Sequence, residues 1–87
     1  MMYKVELSLE AEKFFAKSNK VLAKKLARCF QNLENNPRFH PNIKRLKGNY
    51  IGYYRYQVGD YRVVYSIDDE IVSVNVIVIA HRSKIYD

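Results

Sequence analysis

The stretch that decides the fold is YYRYQVGDYRVVY, residues 53–65, followed by IVSVNVIVIA, residues 71–80. Arg55, Gln57 and Arg62 stand among tyrosines and valines in the first stretch, a composition that suits strands with one covered and one open face. Gly59-Asp60 interrupts that stretch, and Asp68-Asp69 interrupts the next apolar run; both are turn chemistry. The pattern predicts three consecutive strands over 51–57, 61–67 and 70–80. Their turns lie at Val58-Gly59-Asp60 and Asp68-Asp69. Short turns between consecutive strands give an antiparallel meander.

Upstream, Leu22, Leu26, Cys29, Phe30 and Leu33 recur at helical spacing and predict a helix over 20–34. Asn35-Asn36-Pro37 stops it. Ser8 is placed to cap an earlier helix running to Lys17, with Leu9, Phe14 and Phe15 as its inward residues and Glu10 and Glu12 at its positive end. Tyr3, Val5 and Leu7 alternate with Lys4 and Glu6 and predict a short first strand. Residues 38–49 read as a loop. The expected fold is α+β, β-α-α-β-β-β: an antiparallel sheet with two N-terminal helices packed on one face. The 87 residues make one domain, 1–87, with no linker or repeat.

With both helices on one face, the other face is open. Arg55, Arg62 and Arg82 stand among Tyr53, Tyr54, Tyr56, Tyr61 and Tyr86, so the open face is expected to be cationic and aromatic. Guanidinium forks match phosphate geometry, and aromatic rings stack on bases. The formal net charge of +6 points to a polyanionic or acidic partner. A surface of this kind suits RNA. Each residue also has a plainer role. Strand arginines commonly pair with acids across a sheet, Arg62 has Asp60 close in sequence, and Tyr86 can simply anchor its segment. Val72, Val74, Val76, Val78 and Ala80 share one parity and look buried. Arg82 shares it too, so it reaches the open face only if the last strand bulges after Ala80.

Catalytic signatures of other kinds are absent. There is no Gly-rich phosphate loop, no HExxH and no CxxC. His40 and His81 lie far apart without ligand partners at metal spacing, and Asp68, Asp69 and Glu70 read as a turn. No cofactor is expected. Cys29, the single cysteine, sits in a helical stripe beside Phe30 and reads as a buried, inert thiol. One cysteine forms no internal disulfide, which fits a reducing, cytoplasmic setting. The run 71–80 is too short to span a bilayer. What remains is metal-free RNA chemistry, in which the 2′-hydroxyl attacks the adjacent phosphorus. Arginines suit the stabilisation of the extra negative charge. They stay protonated and do not shuttle protons. The proton acceptor and donor are left among Tyr86, Tyr53, His81, Lys47 and the surroundings of the substrate.

The order RLKG (45–48), YYRY (53–56), GDYRVVY (59–65), an aliphatic strand and HRSKIY (81–86) resembles the RelE/ParE superfamily of bacterial and archaeal toxins, and its RelE branch most. The resemblance covers nearly the whole chain. It implies a toxin of a type II toxin–antitoxin system that cuts messenger RNA in the ribosomal A site without metal and is neutralised by a cognate, acidic, RelB-like antitoxin. It implies charge stabilisation by Arg62 and Arg82, and base stacking by Tyr86. Arg55 falls where some members carry a lysine acting on the 2′-hydroxyl or the phosphate, and Tyr53 at a second such position. Both are departures and leave the general base unassigned. Arg45, Lys47, Tyr53 and His81 are the expected RNA contacts. No sequence beyond Asp87 remains for the C-terminal helix of some members. Two other readings stand beside this one: a ParE-like inhibitor of DNA gyrase without nuclease activity, and a nucleic-acid-binding module without toxicity.

Overall fold

The computed structural model describes residues 2–84. Two helices lie on one face of a five-stranded sheet. Helix α1 spans Leu9–Lys17 and α2 spans Lys20–Asn35. The Ala11 N–H donates to the Ser8 Oγ at 3.1 Å, and the Leu22 N–H to the Asn19 Oδ1 at 2.9 Å, so each helix begins on a side-chain cap. Leu26, Cys29 and Leu33 of α2 are fully buried, with Leu22 and Phe30 packed against them. Helix α2 ends one residue before Pro37, at the Asn36 cap. The inward residues of α1 are Ala11, Phe14 and Phe15. Leu9 is 69% exposed, contrary to expectation. It stands at the first helical position, off the 11–14–15 stripe.

The strands are β1 (Lys4–Leu7), β2 (Ile43–Arg45), β3 (Tyr54–Val58), β4 (Tyr61–Asp68) and β5 (Ser73–His81), in the spatial order β1-β5-β4-β3-β2. Strands β2 to β5 are antiparallel neighbours as the turns require. Strand β1, however, pairs parallel with β5, from Lys4 opposite Ser73 to Leu7 opposite Val76, so the sheet is mixed. Strand β2 lies inside the segment expected to be loop. Its three residues pair with β3, a run too short to show a period. The β3 strand starts three residues later than expected. A 3₁₀ turn at Gly48–Tyr50 and Gly52 at φ 96° occupy that space, and Ile51 is 80% exposed. The β4–β5 turn is also longer than two residues. The Asp68 carboxylate accepts the N–H groups of Glu70 and Ile71, and Val72 takes a left-handed φ of 52°.

Between β4 and β5 the register slips once. Val64 pairs with Val78, but Tyr65 pairs with Val76, leaving Ile77 as a bulge. A bulge exchanges the faces of all that follows it. Val74 and Val76 therefore point into the helix-covered core together with Ile79, while Val78 and Ala80 pack on the other face with Leu46, Val64 and Tyr53. The bulge thus lies three residues before Ala80 and not after it, and it is Val78 and Ala80 that it turns to the open face.

The main core holds Tyr65, Val63, Val74 and Val76 against α2. Burial pushes the Tyr65 phenol and the Cys29 thiol well above their ordinary values. The Tyr65 hydroxyl donates to the Pro37 carbonyl at 2.7 Å, which satisfies it. Outside the core, Arg38 grips both carboxylate oxygens of Asp69, at 3.1 and 2.7 Å, and Tyr3 donates to the same carboxylate at 2.9 Å. That clasp ties β1, the loop after α2 and the β4–β5 turn.

Candidate RNA-binding face

Strand parity sorts the residues of YYRYQVGDYRVVY between two faces. Tyr54, Tyr56 and Tyr65 look toward the helices and belong to the core. Tyr54 stacks on Tyr65 with centroids 5.6 Å apart. The Tyr56 hydroxyl accepts from Asn32 at 2.8 Å and its ring lies 5.0 Å from the His40 ring. Tyr61 meets Phe14 edge-on. The expectation of a face at once cationic and aromatic is therefore corrected. Tyr54, Tyr56 and Tyr65 build the core, and Tyr53, just before β3, packs on the open side against Leu46 and Val64.

Arg55, Gln57 and Arg62 have the opposite parity and stand on that open side. Gln57 is directly opposite Arg62, and Arg55 is opposite Val64. Arg55 and Arg62 are thus diagonal neighbours, about 7–8 Å apart at Cβ. Both are half-buried. Small apolar residues, Val64, Val78 and Ala80, form the floor around them. The Arg55 guanidinium donates to the Asn42 carbonyl at 2.7 Å. The Arg62 Nε–H donates to the Gln57 Oε1 at 3.2 Å. Ala80 faces Arg62 across β4–β5, and the Arg82 N–H continues that ladder by donating to the Asp60 carbonyl at 2.8 Å. Arg82 opens a 3₁₀ turn, Arg82–Lys84, directly after β5, at the end of the sheet where Arg62 lies. Its guanidinium is 3.9 Å from the Asp60 carboxylate, and both side chains are well exposed. A pair of this kind contributes little and yields readily to a phosphate.

The remaining candidates spread out. Arg45 pairs opposite Tyr54 on the helix side and stands 5.8 Å from that ring, away from Arg62. Lys47 is exposed beside the 3₁₀ turn. His81 pairs with Tyr61 and meets its ring edge-on, at the margin of the helix side. The Ser83 N–H donates to the His81 Nδ1 at 3.2 Å, so a neutral His81 carries its proton on Nε2. Tyr86 lies outside the described residues. The structure adds Lys44, which the loop reading passed over. It is opposite Arg55 and so joins the open face. Among the described residues, no group of three or more His, Cys, Asp or Glu side chains is placed to hold a metal ion. No described helix is long and apolar enough to cross a membrane.

A five-stranded sheet covered on one face by two N-terminal helices is the architecture of the RelE/ParE toxin superfamily. Solved structures agree. The chain is similar to the toxin–antitoxin complex RelBE2 of Mycobacterium tuberculosis, at 28% identity and a TM-score of 0.78, covering 94% of this chain and 100% of that one. It is similar to a mutant RelE toxin of Escherichia coli in the free state, at 26% identity and a TM-score of 0.78, covering 97% and 87%. The archaeal RelE–RelB complex of Pyrococcus horikoshii shares the fold at 23% identity and a TM-score of 0.82, covering 98% and 100%. No curated protein matches the sequence. The sequence profile described as the ParE toxin of type II toxin–antitoxin system, parDE, matches residues 5–86, and the chain belongs to that family.

Proposed function

We propose that this toxin is an endoribonuclease of RelE type, acting without metal on messenger RNA held in the ribosomal A site. The observation that carries the reading is the open face of Arg55 and Arg62, set on a small apolar floor, with the Arg82 segment at the Arg62 end of the sheet. On it, Arg62 and Arg82 hold the scissile phosphate. The 2′-hydroxyl gives its proton to an acceptor as its oxygen attacks phosphorus, the bond to the 5′-oxygen breaks, and a donor returns a proton to that leaving oxygen; acceptor and donor are drawn from Tyr86, Tyr53, His81, Lys47 and the ribosomal surroundings. The products are a 2′,3′-cyclic phosphate, or its hydrolysed 3′-phosphate, and a 5′-hydroxyl. The arginines stabilise the added charge of the transition state. Arg55, anchored on the Asn42 carbonyl, orients the nucleotide. Lys47 and Tyr53 contact the RNA further out, and Tyr86 stacks on a base. Because the described residues of the face offer no paired acid and base, the ribosome supplies much of the nucleotide's orientation. The partner that silences the protein is an acidic, RelB-like antitoxin.

The match to the ParE profile favours one other reading, in which the protein inhibits DNA gyrase by contact and cleaves nothing. The two separate on induction. A nuclease of this type stops incorporation of labelled methionine at once and leaves new 5′-hydroxyl ends on ribosome-bound messenger. A gyrase inhibitor stops thymidine incorporation first. Naked messenger is expected to be cut poorly and ribosome-bound messenger well. Equal rates on both contradict the ribosome dependence. Cleavage that survives magnesium chelation, with ribosome integrity controlled, checks the independence from metal.

A further inference from the structure

We infer that Gln57 is a positioning residue that sets the guanidinium of Arg62 and keeps its charge intact, an inference that rests on the nuclease reading above. Gln57 is the direct cross-strand partner of Arg62. Its Oε1 accepts the Arg62 Nε–H at 3.2 Å, and its Nε2 donates to the Gly59 carbonyl. The two bonds fix each other. The Gly59 carbonyl only accepts, so the amide nitrogen must face it, and the amide oxygen must then face Arg62. Gly59 stands in the β3–β4 turn at φ 58°, a left-handed conformation that other side chains adopt at a cost. The turn therefore aims the carbonyl, the carbonyl aims the carboxamide, and the carboxamide aims the guanidinium.

Chemistry explains why an amide suits this place. A carboxylate there would hold Arg62 more tightly, but it would cancel the charge that the phosphate needs. A glutamine accepts the same hydrogen bond and adds no negative charge beside the guanidinium.

The test uses Gln57→Met, which keeps length without an acceptor, Gln57→Glu, Arg62→Ala and the Gln57→Met/Arg62→Ala double variant. Single-turnover cleavage of ribosome-bound messenger is measured beside the thermal midpoint and the solvent exchange of the Arg62 Nε–H by NMR. Gln57→Met is expected to slow cleavage about tenfold, the loss of one charge-assisted hydrogen bond. Apparent affinity for the ribosome should be unchanged and Nε–H exchange faster. Gln57→Glu is expected to slow cleavage further with no fall in thermal midpoint. In the Arg62→Ala background, Gln57→Met should add nothing. A wild-type rate in Gln57→Met or in Gln57→Glu, or the same loss with and without Arg62, overturns the inference. Nε–H exchange unchanged by Gln57→Met overturns it whether or not the protein cleaves RNA. Full activity in Arg62→Ala instead overturns the role of Arg62, and that of Gln57 with it.

Discussion

Arg62 is the residue on which the functional reading turns. Arg62→Ala is expected to cost about 3 kcal/mol of transition-state stabilisation, the scale of a lost oxyanion donor. The variant should relieve growth arrest while keeping its circular dichroism and cooperative melt. Its side chain lies on the open face over small residues, so no core contact goes with it. A second residue-scale expectation concerns Val72, β-branched yet held at φ 52°. Val72→Ala and Val72→Gly both remove the half-buried isopropyl group. Only glycine also removes the left-handed penalty of roughly 1–2 kcal/mol. The glycine variant should therefore be the more stable of the two by about 1 kcal/mol in urea unfolding. At this scale the sequence was partly legible. Arg55 and Arg62 stand on the open side, as their places between tyrosines and valines in β3 and β4 suggest. The tyrosines misled, because a tyrosine serves a core as well as a surface when its hydroxyl finds a partner, as Tyr65 and Tyr56 do.

Among the elements, α2 was readable because its stripe, cap and stop agree with one another. The bulge and the β1–β5 pairing were not. A bulge is a relation between two strands, and neither strand announces it alone. Ser8 links the two features. Its hydroxyl accepts the Ala11 N–H as the cap of α1 and donates to the carbonyl of Ile77, the bulged residue, at 2.6 Å. Ser8→Ala should therefore cost about 1–2 kcal/mol, the upper range for a cap. Ser8→Gly, which caps nearly as well in helices generally, should not recover it here, because the Ile77 carbonyl still lacks its donor. Paired chemical denaturation curves decide the point.

The whole molecule is held across its β4–β5 end by the Arg38–Asp69–Tyr3 clasp. Hydrogen bonds from Arg38, then Tyr3, hold the Asp69 carboxyl below its ordinary value. A depressed folded-state pKa stabilises fully above the unfolded value near 3.9, and the gain is lost as pH falls through the folded value. Asp69→Asn should therefore remove part of the acid limb of the stability–pH curve below about pH 4 and leave its alkaline side unchanged in shape. At neutral pH the net charge of +6 draws the proposed acidic antitoxin, while burial of apolar surface keeps it bound. The purified pair should survive about 0.5 M salt, where the screening length is only about 4 Å. Complete dissociation there would mean a purely electrostatic complex.

The parallel pairing of β1 with β5 carries a consequence in time. Lys4 meets Ser73 and Leu7 meets Val76, so the first strand to be synthesised waits for the last. Helix α1 packs largely on β5 as well. During translation, at about 5–20 residues per second, α1 and α2 emerge with nothing to cover. Closing a loop of this span is slow compared with forming a hairpin. The arginine face is assembled only once β4 has β5 beside it. A ribosome making this protein therefore carries an unassembled toxin until β5 is out, and an antitoxin already present in the cell has that interval in which to meet the chain.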